Sequence, residues 1–162
     1  MCSSDLLFFD GRTAEDFKLS TGTFVSVGPL RARIIAQGAP NIQDAVIAGI
    51  NRDEIAMLVI PRVDECRRLT GLPAGSGAAE VLAHPAVRAF FQGVTDALWK
   101  SGTGGATRIA RCHLLVDAPS IDKGEITDKG SINQRAVLTH RAALIESIYN
   151  GSDATLILPN KV

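Results

Sequence analysis

Between Ile42 and Pro61 the chain carries two apolar runs, IQDAVIAGI and EIAMLVIP, separated only by the polar Asn51-Arg52-Asp53. Both are rich in β-branched residues, and the second is apolar at every position after Glu54. A run with no solvent side must be covered on both faces. The pattern therefore predicts a hairpin whose second strand lies at the centre of a sheet.

The flanking segments predict what surrounds it. Glu15 to Leu19 and Thr23 to Val27 suit two short strands turning through Ser20, Thr21 and Gly22. In GPLRARIIAQGAP, Pro29 suits a first helical turn, Gly38 follows the last periodic residue and Pro40 blocks continuation. A short helical stretch is expected from Val63 to Leu69, then a surface loop, GLPAGSGAAE. From Pro85 to Trp99, the residues Val87, Phe90, Phe91, Val94, Ala97 and Leu98 share one helical face. SGTGGAT reads as a loop, and Ala110, Cys112, Leu114 and Val116 alternate along a strand. A last helix is expected from Ile132 to Tyr149, with Leu138, Ala142, Ile145 and Tyr149 in one row. The fold class is α+β: a small antiparallel or mixed sheet flanked by helices.

Composition removes several functions. The 162 residues suit one domain, with 17 basic and 17 acidic side chains and a pI of 6.8, so no net field draws the chain to nucleic acid or an anionic membrane. No apolar run reaches the ~18–20 residues needed to cross a bilayer. Cys2, Cys66 and Cys112 lack the close spacing of a metal or dithiol centre and read as free thiols of a reducing cytoplasm. His84, His113 and His140 have no ligand-spaced neighbours: His84 reads as capping or abutting a helix start, His113 as a residue on the less apolar strand face, and His140 as solvent-facing. Gly75 and Gly77 do not make a dinucleotide fingerprint.

Two segments carry chemistry. FDGRTAEDFKLSTGTFVSVGPLR is dense in charge and glycine, although on its own the charged edge of a solvated hairpin is the commoner explanation. DAPSIDKGEITDKGSINQ leads into the last helix, and Ser131 and Gln134 have capping-box spacing. Lys123 and Lys129, beside Gly124 and Gly130, put ammonium groups where an anion such as phosphate is favoured, though without further context a solvated loop is the better reading of them.

In this order, about a hundred residues apart, DGRTAEDFKLSTGTFVSVGPLR and EITDKGSINQRAVL resemble the eighth and tenth core motifs of adenylate-forming enzymes. They are most similar to feruloyl-CoA synthetases and less so to long-chain fatty acyl ligases, and the resemblance runs from about Phe8 to Tyr149. It implies that residues 8–150 are the C-terminal lid of an ATP-dependent, AMP-forming acid–CoA ligase. Residues 1–7 would be a non-native or truncated leader and 151–162 a tail that adds an edge strand or hangs free. The partners implied are an N-terminal adenylation domain, absent from this chain and holding most of the Mg2+, a carboxylic acid, ATP and CoA.

The lid of such an enzyme swings between two poses, one for adenylation and one for attack by CoA. On the matching positions Arg12 would contact the ribose or phosphate of AMP, and Lys18 the acyl phosphate or CoA. The turn Gly22-Thr23-Phe24 would line the pantetheine tunnel. Two departures stand out. Ala14 occupies the slot of the family's hinge Asp or Lys, so the pivot would lie within Thr13 to Glu15. The lysine that bridges the acid carboxylate and the α-phosphate aligns with Ser131, so Lys129, two residues earlier, is the expected catalytic lysine and Lys123 the reserve. The other readings are the same lid in a medium- or long-chain fatty acyl ligase, or a stand-alone non-catalytic binding module.

Overall fold

The structure is a computed structural model and describes residues 16–50, 52–102, 108–117, 119–129, 132–151 and 156–159. Two short strands, β1 (Phe17–Lys18) and β2 (Phe24–Val25), form an antiparallel hairpin. Helix α1 (Val27–Gly38) follows, then β3 (Ile42–Ala48) and β4 (Ile55–Pro61). Helices α2 (Val63–Thr70), α3 (Ala78–Ala83) and α4 (Pro85–Ser101) carry the chain across to β5 (Ile109–Leu114), and α5 (Gln134–His140) and α6 (Ala142–Asn150) come last.

The main sheet has the order β3-β4-β5. β3 and β4 pair antiparallel in a hairpin, whereas β5 runs parallel to β4, as a crossover through three helices permits. β4 is buried at all seven positions, which is why its sequence shows no alternation. Ile55, Met57 and Val59 face one core with α1, α4 and the small hairpin, while Ala56, Leu58 and Ile60 face a second core under α5 and α6. Each fully buried aliphatic side chain of this kind contributes about 1.5–3 kcal/mol, so an ionisable residue at Leu58 would break the fold.

Both sheet edges are covered. On the β3 side the Gln134 amide mimics a neighbouring peptide, its Oε1 accepting from Ile47 N and its Nε2 donating to Ala45 O, both at 2.9 Å. On the β5 side Ile157 of the tail pairs with Cys112, N to O at 2.9 Å in both directions. At Ile157 the chain thus adds one bridge to the edge.

Four expectations need correction. Glu80 and its neighbours, read as loop, belong to helix α3. The last helix is two: Arg141, at φ −111° and ψ 29°, separates α5 from α6, which leaves Ala142 exposed and interrupts the expected row. The first helix of that pair is capped by Asn133, whose side chain accepts from Ala136 N at 3.1 Å, and not by a Ser131–Gln134 box, because Gln134 is turned to the β3 edge. Finally, the β5 alternation fails at both ends. A register shift opposite Ile55–Ala56 puts Ile109 on the same face as Cys112 and Leu114, and Val116 lies beyond the strand, exposed. His84, in contrast, caps α4 as expected, its Nδ1 accepting from Ala86 N at 3.1 Å.

Candidate functional site

The small hairpin is built by local bonds. Leu19 N donates to Thr23 O and Gly22 N to Leu19 O, both at 2.9 Å, and Gly22 adopts φ 87°, a left-handed conformation that glycine enters without strain. Lys18 and Phe24 lie opposite each other across the two strands, and both are exposed. Phe17 and Leu19 point inward, onto Gly49. A side chain at Gly49 would meet the Phe17 ring at 3.0 Å and Leu19 at 3.1 Å, so a glycine there lets the hairpin sit directly on the end of β3. Asp16 fixes the other end by accepting from Val27 N at 2.9 Å, a cap for α1 from eleven residues away.

From this hairpin a polar chain runs through the β3–β4 turn to the last helix. Ser20 N donates to Arg52 O at 2.9 Å and the Ser20 hydroxyl bonds Asp53. The Arg52 guanidinium pairs with Glu146 of α6 and lies 4.8 Å from the centre of the Tyr149 ring. Arg111 of β5 sits 5.4 Å from the centre of the same ring and pairs with Glu54 at 3.3 Å. Tyr149 donates its hydroxyl to Glu54 O at 2.7 Å, and burial pushes its phenol pKa up, away from any acid–base role near neutrality. Between the turn and the last two helices lies a pocket of about 250 Å3, lined by Ala48, Gly49, Ile50, Leu138, Ala142 and Ile145.

The second segment is also held by local bonds among its described residues. Residues 120–125 close on themselves, Glu125 N donating to Ser120 O at 2.9 Å with Gly124 at φ 72°, and Lys123 stands exposed on this turn. An antiparallel bridge between Ile126 and Ile132 closes the next stretch, which carries the exposed Lys129. Both turns feed α5, whose start is fastened to β3 through Gln134.

The structure thus places the expected residues in two groups. Lys18, Gly22, Thr23 and Phe24 share one hairpin, and Lys123 and Lys129 share one loop. Arg12 and the hinge Thr13 to Glu15 lie outside the described residues. Among the described residues no hydrogen bond or ion pair joins the groups directly; they are linked through the β3–β4 turn, α5 and α6. Lys18 and the two lysines of the loop are free of acidic partners in the ion pairs formed by the described residues. The turn of Gly22 has nothing within 4 Å of the position a Cβ would take, an open backbone that a ligand can approach. Exposed ammonium groups and open glycine backbone leave room and charge for an anionic ligand to approach.

Sequence reasoning missed Arg52, Glu125 and Arg141. Their charged partners lie 16 or more residues away, which no local spacing signals. Among the described residues there is no cluster of three or more His, Cys, Asp or Glu able to hold a metal, and no helix long and apolar enough to cross a membrane.

The model of the family described as AMP-binding enzyme C-terminal domain matches residues 16–153. No curated protein matches the chain. Among solved structures, the A domain of carboxylic acid reductase from Segniliparus rugosus, in complex with AMP and a co-purified carboxylic acid, superposes with a TM-score of 0.58 at 19% identity, covering 88% of this chain and 21% of that one. The A-PCP didomain of carboxylic acid reductase from the same organism, with AMP, gives 0.57 at 21% identity over 85% and 17%. The adenylation domain of a Mycobacterium chelonae carboxylate reductase gives 0.58 at 18% identity over 86% and 20%. The chain therefore spans about a fifth of the length of these structures. With its mixed sheet between helices matching the C-terminal part of adenylation domains, this chain belongs to the AMP-binding enzyme C-terminal domains of the adenylate-forming enzymes.

Proposed function

We propose that the chain is the mobile lid of an ATP-dependent, AMP-forming acid–CoA ligase whose acid is a hydroxycinnamate of the ferulate type. The observation that carries this reading is the family match over residues 16–153 combined with two exposed lysine-bearing turns, each fastened to one folded body. In the adenylation pose Lys129, with Lys123 in reserve, would lie between the acid carboxylate and the α-phosphate of ATP. There it would offset the charge that develops as pyrophosphate leaves. In the thioester pose Lys18 would face the acyl phosphate, and the open Gly22 turn with Thr23 and Phe24 would flank the pantetheine arm of CoA. An ammonium about 4 Å from a phosphate oxygen near a protein surface is worth roughly 4 kcal/mol. Loss of the bridging lysine is therefore expected to slow adenylation by about 10²–10³-fold.

The test is made in the full-length enzyme. Lys129→Ala should slow acid-dependent ATP–pyrophosphate exchange by about 10²–10³-fold while thioester formation from preformed acyl-adenylate continues; normal exchange in Lys129→Ala and Lys123→Ala alike would refute the assignment. A panel of ferulate, octanoate and palmitate as acids separates the aromatic ligase from a fatty acyl ligase. The isolated chain should release no pyrophosphate with ferulate and ATP, and steady release would overturn the lid reading.

A second reading is favoured by the fold likeness to carboxylic acid reductase adenylation domains. There the acyl group would pass to a thiol held by another domain, and saturable dependence of the full-length enzyme on free CoA decides against it.

A further inference from the structure

Glu125 is 1% exposed, yet it lies in a loop between two lysines that are both exposed. An ionised carboxylate is not buried at a surface loop unless partners hold it there. Its partners reach both neighbouring turns. The carboxylate Oε1 accepts from Ser120 N at 2.9 Å while Glu125 N donates to Ser120 O at 2.9 Å, a reciprocal closure of the turn that carries Lys123. Glu125 O accepts from Asn133 N at 2.9 Å, and with the adjacent Ile126–Ile132 bridge this closes the stretch that carries Lys129.

The remaining capacity of the carboxylate goes to Arg141. Its Nε donates to Oε2 at 3.0 Å and one terminal nitrogen to Oε1 at 3.2 Å, a forked pair that is itself largely buried. Arg141 stands at the break between α5 and α6, where helical geometry is given up. One residue thus ties the ends of both lysine turns to the joint of the last two helices. Hydrogen bonding to the guanidinium also lowers the Glu125 carboxyl below its ordinary value, so the carboxylate stays ionised at neutral pH.

We propose that Glu125 and Arg141 are the positioning residues of the adenylation step, holding the turns of Lys123 and Lys129 in the one arrangement from which a lysine reaches the acid and the α-phosphate. This rests on the reading of the lysine loop given above. Neither residue touches the reactants; each acts through the lysines. A pair that only stabilised the domain would, on removal, lower the folded fraction and affect both half-reactions alike.

The experiment uses the full-length enzyme and two measurements: acid-dependent ATP–pyrophosphate exchange, and thioester formation from synthetic acyl-adenylate and CoA, both per folded enzyme. Glu125→Gln, which keeps the shape but not the charge, should lower kcat for exchange about 10–100-fold and leave thioester formation within about twofold, following the loss of lysine placement. Arg141→Lys, which keeps the charge but not the fork, should do the same and serves if Glu125→Gln fails to fold. Combining Glu125→Gln with Lys129→Ala should be no worse than Lys129→Ala alone, because the carboxylate then has nothing left to position. Unchanged exchange, an equal fall in both half-reactions, or full additivity in the double variant would overturn the proposal. If Lys129→Ala impairs exchange and Glu125→Gln does not, only the positioning role falls; if neither lysine matters, the lid assignment of the loop and this proposal fall together.

Discussion

Arg31 of α1 reaches both carboxylate oxygens of Asp44 on β3 at 2.7 Å, with the two side chains only 9% and 13% exposed. Asp44 Oδ1 also accepts from Ala45 N at 2.8 Å, so the pair joins the first helix to the edge of the sheet with few unsatisfied atoms. Removing one member leaves the other charged and out of water, whereas replacing both with apolar groups does not. Asp44→Ala should therefore destabilise the chain by about 3–5 kcal/mol, and Arg31→Met with Asp44→Leu by less than Asp44→Ala alone. Urea unfolding of the two variants beside the natural chain checks the order.

The two glycines that shape the small hairpin should respond differently to alanine. Gly22 is left-handed but has open space around its missing Cβ, so Gly22→Ala bears only a backbone cost, about 1 kcal/mol. Gly49 lies under Phe17 and Leu19, so Gly49→Ala must also push the hairpin off the sheet and should cost about 2 kcal/mol or more. Midpoints of chemical denaturation give both values, and equal costs would contradict the close contact.

Stability toward acid should depend on Glu125. Hydrogen bonding to Arg141 lowers its folded pKa, aided by Ser120 N and the neighbouring His140 and opposed by burial. A depressed carboxylate contributes stability that is complete above the unfolded pKa, roughly 4.3, and is lost as pH falls through the lower folded value. Between pH 7 and pH 3 the urea midpoint of the natural chain should fall more steeply than that of Glu125→Gln.

Cys66 and Cys112 should be silent toward thiol reagents in the folded chain. Burial pushes the Cys112 thiol up to about 12 and also raises Cys66. At pH 8 the Cys112 thiolate fraction is then roughly 1 in 10⁴, and both side chains are shielded. Iodoacetamide followed by mass mapping should modify the two sites only in denaturant.

Much of this architecture could be read from the chain. The uninterrupted apolar run from Ile55 to Ile60 announced a central strand, the Pro85–Trp99 face announced the helix over it, and His84 before Pro85 announced that helix's cap. These signals are local, and the principles that produce them act over a few residues. The break at Arg141 was invisible because α5 and α6 share a continuous helical pattern, and the helix stops only where Arg141 turns back to a glutamate sixteen positions earlier. Gln134 misled for a related reason. Its spacing from Ser131 suits a cap, but the unpaired backbone of Ala45 and Ile47 offers it two bonds at once. In the candidate site, the exposure of Lys18, Lys123 and Lys129 followed from sequence, while the anchoring of their turns by Arg52, Glu125 and Asp16 did not.

The amide of Gln134 occupies the place that a further strand would take beside β3. A version of the chain cut before this residue, or one in which α5 lifted away, would present a bare row of peptide groups at Ala45 and Ile47. Such a row invites a copy of the same strand from another molecule. The helix that follows the lysine loop thereby also occupies an edge that would otherwise be open to strand addition.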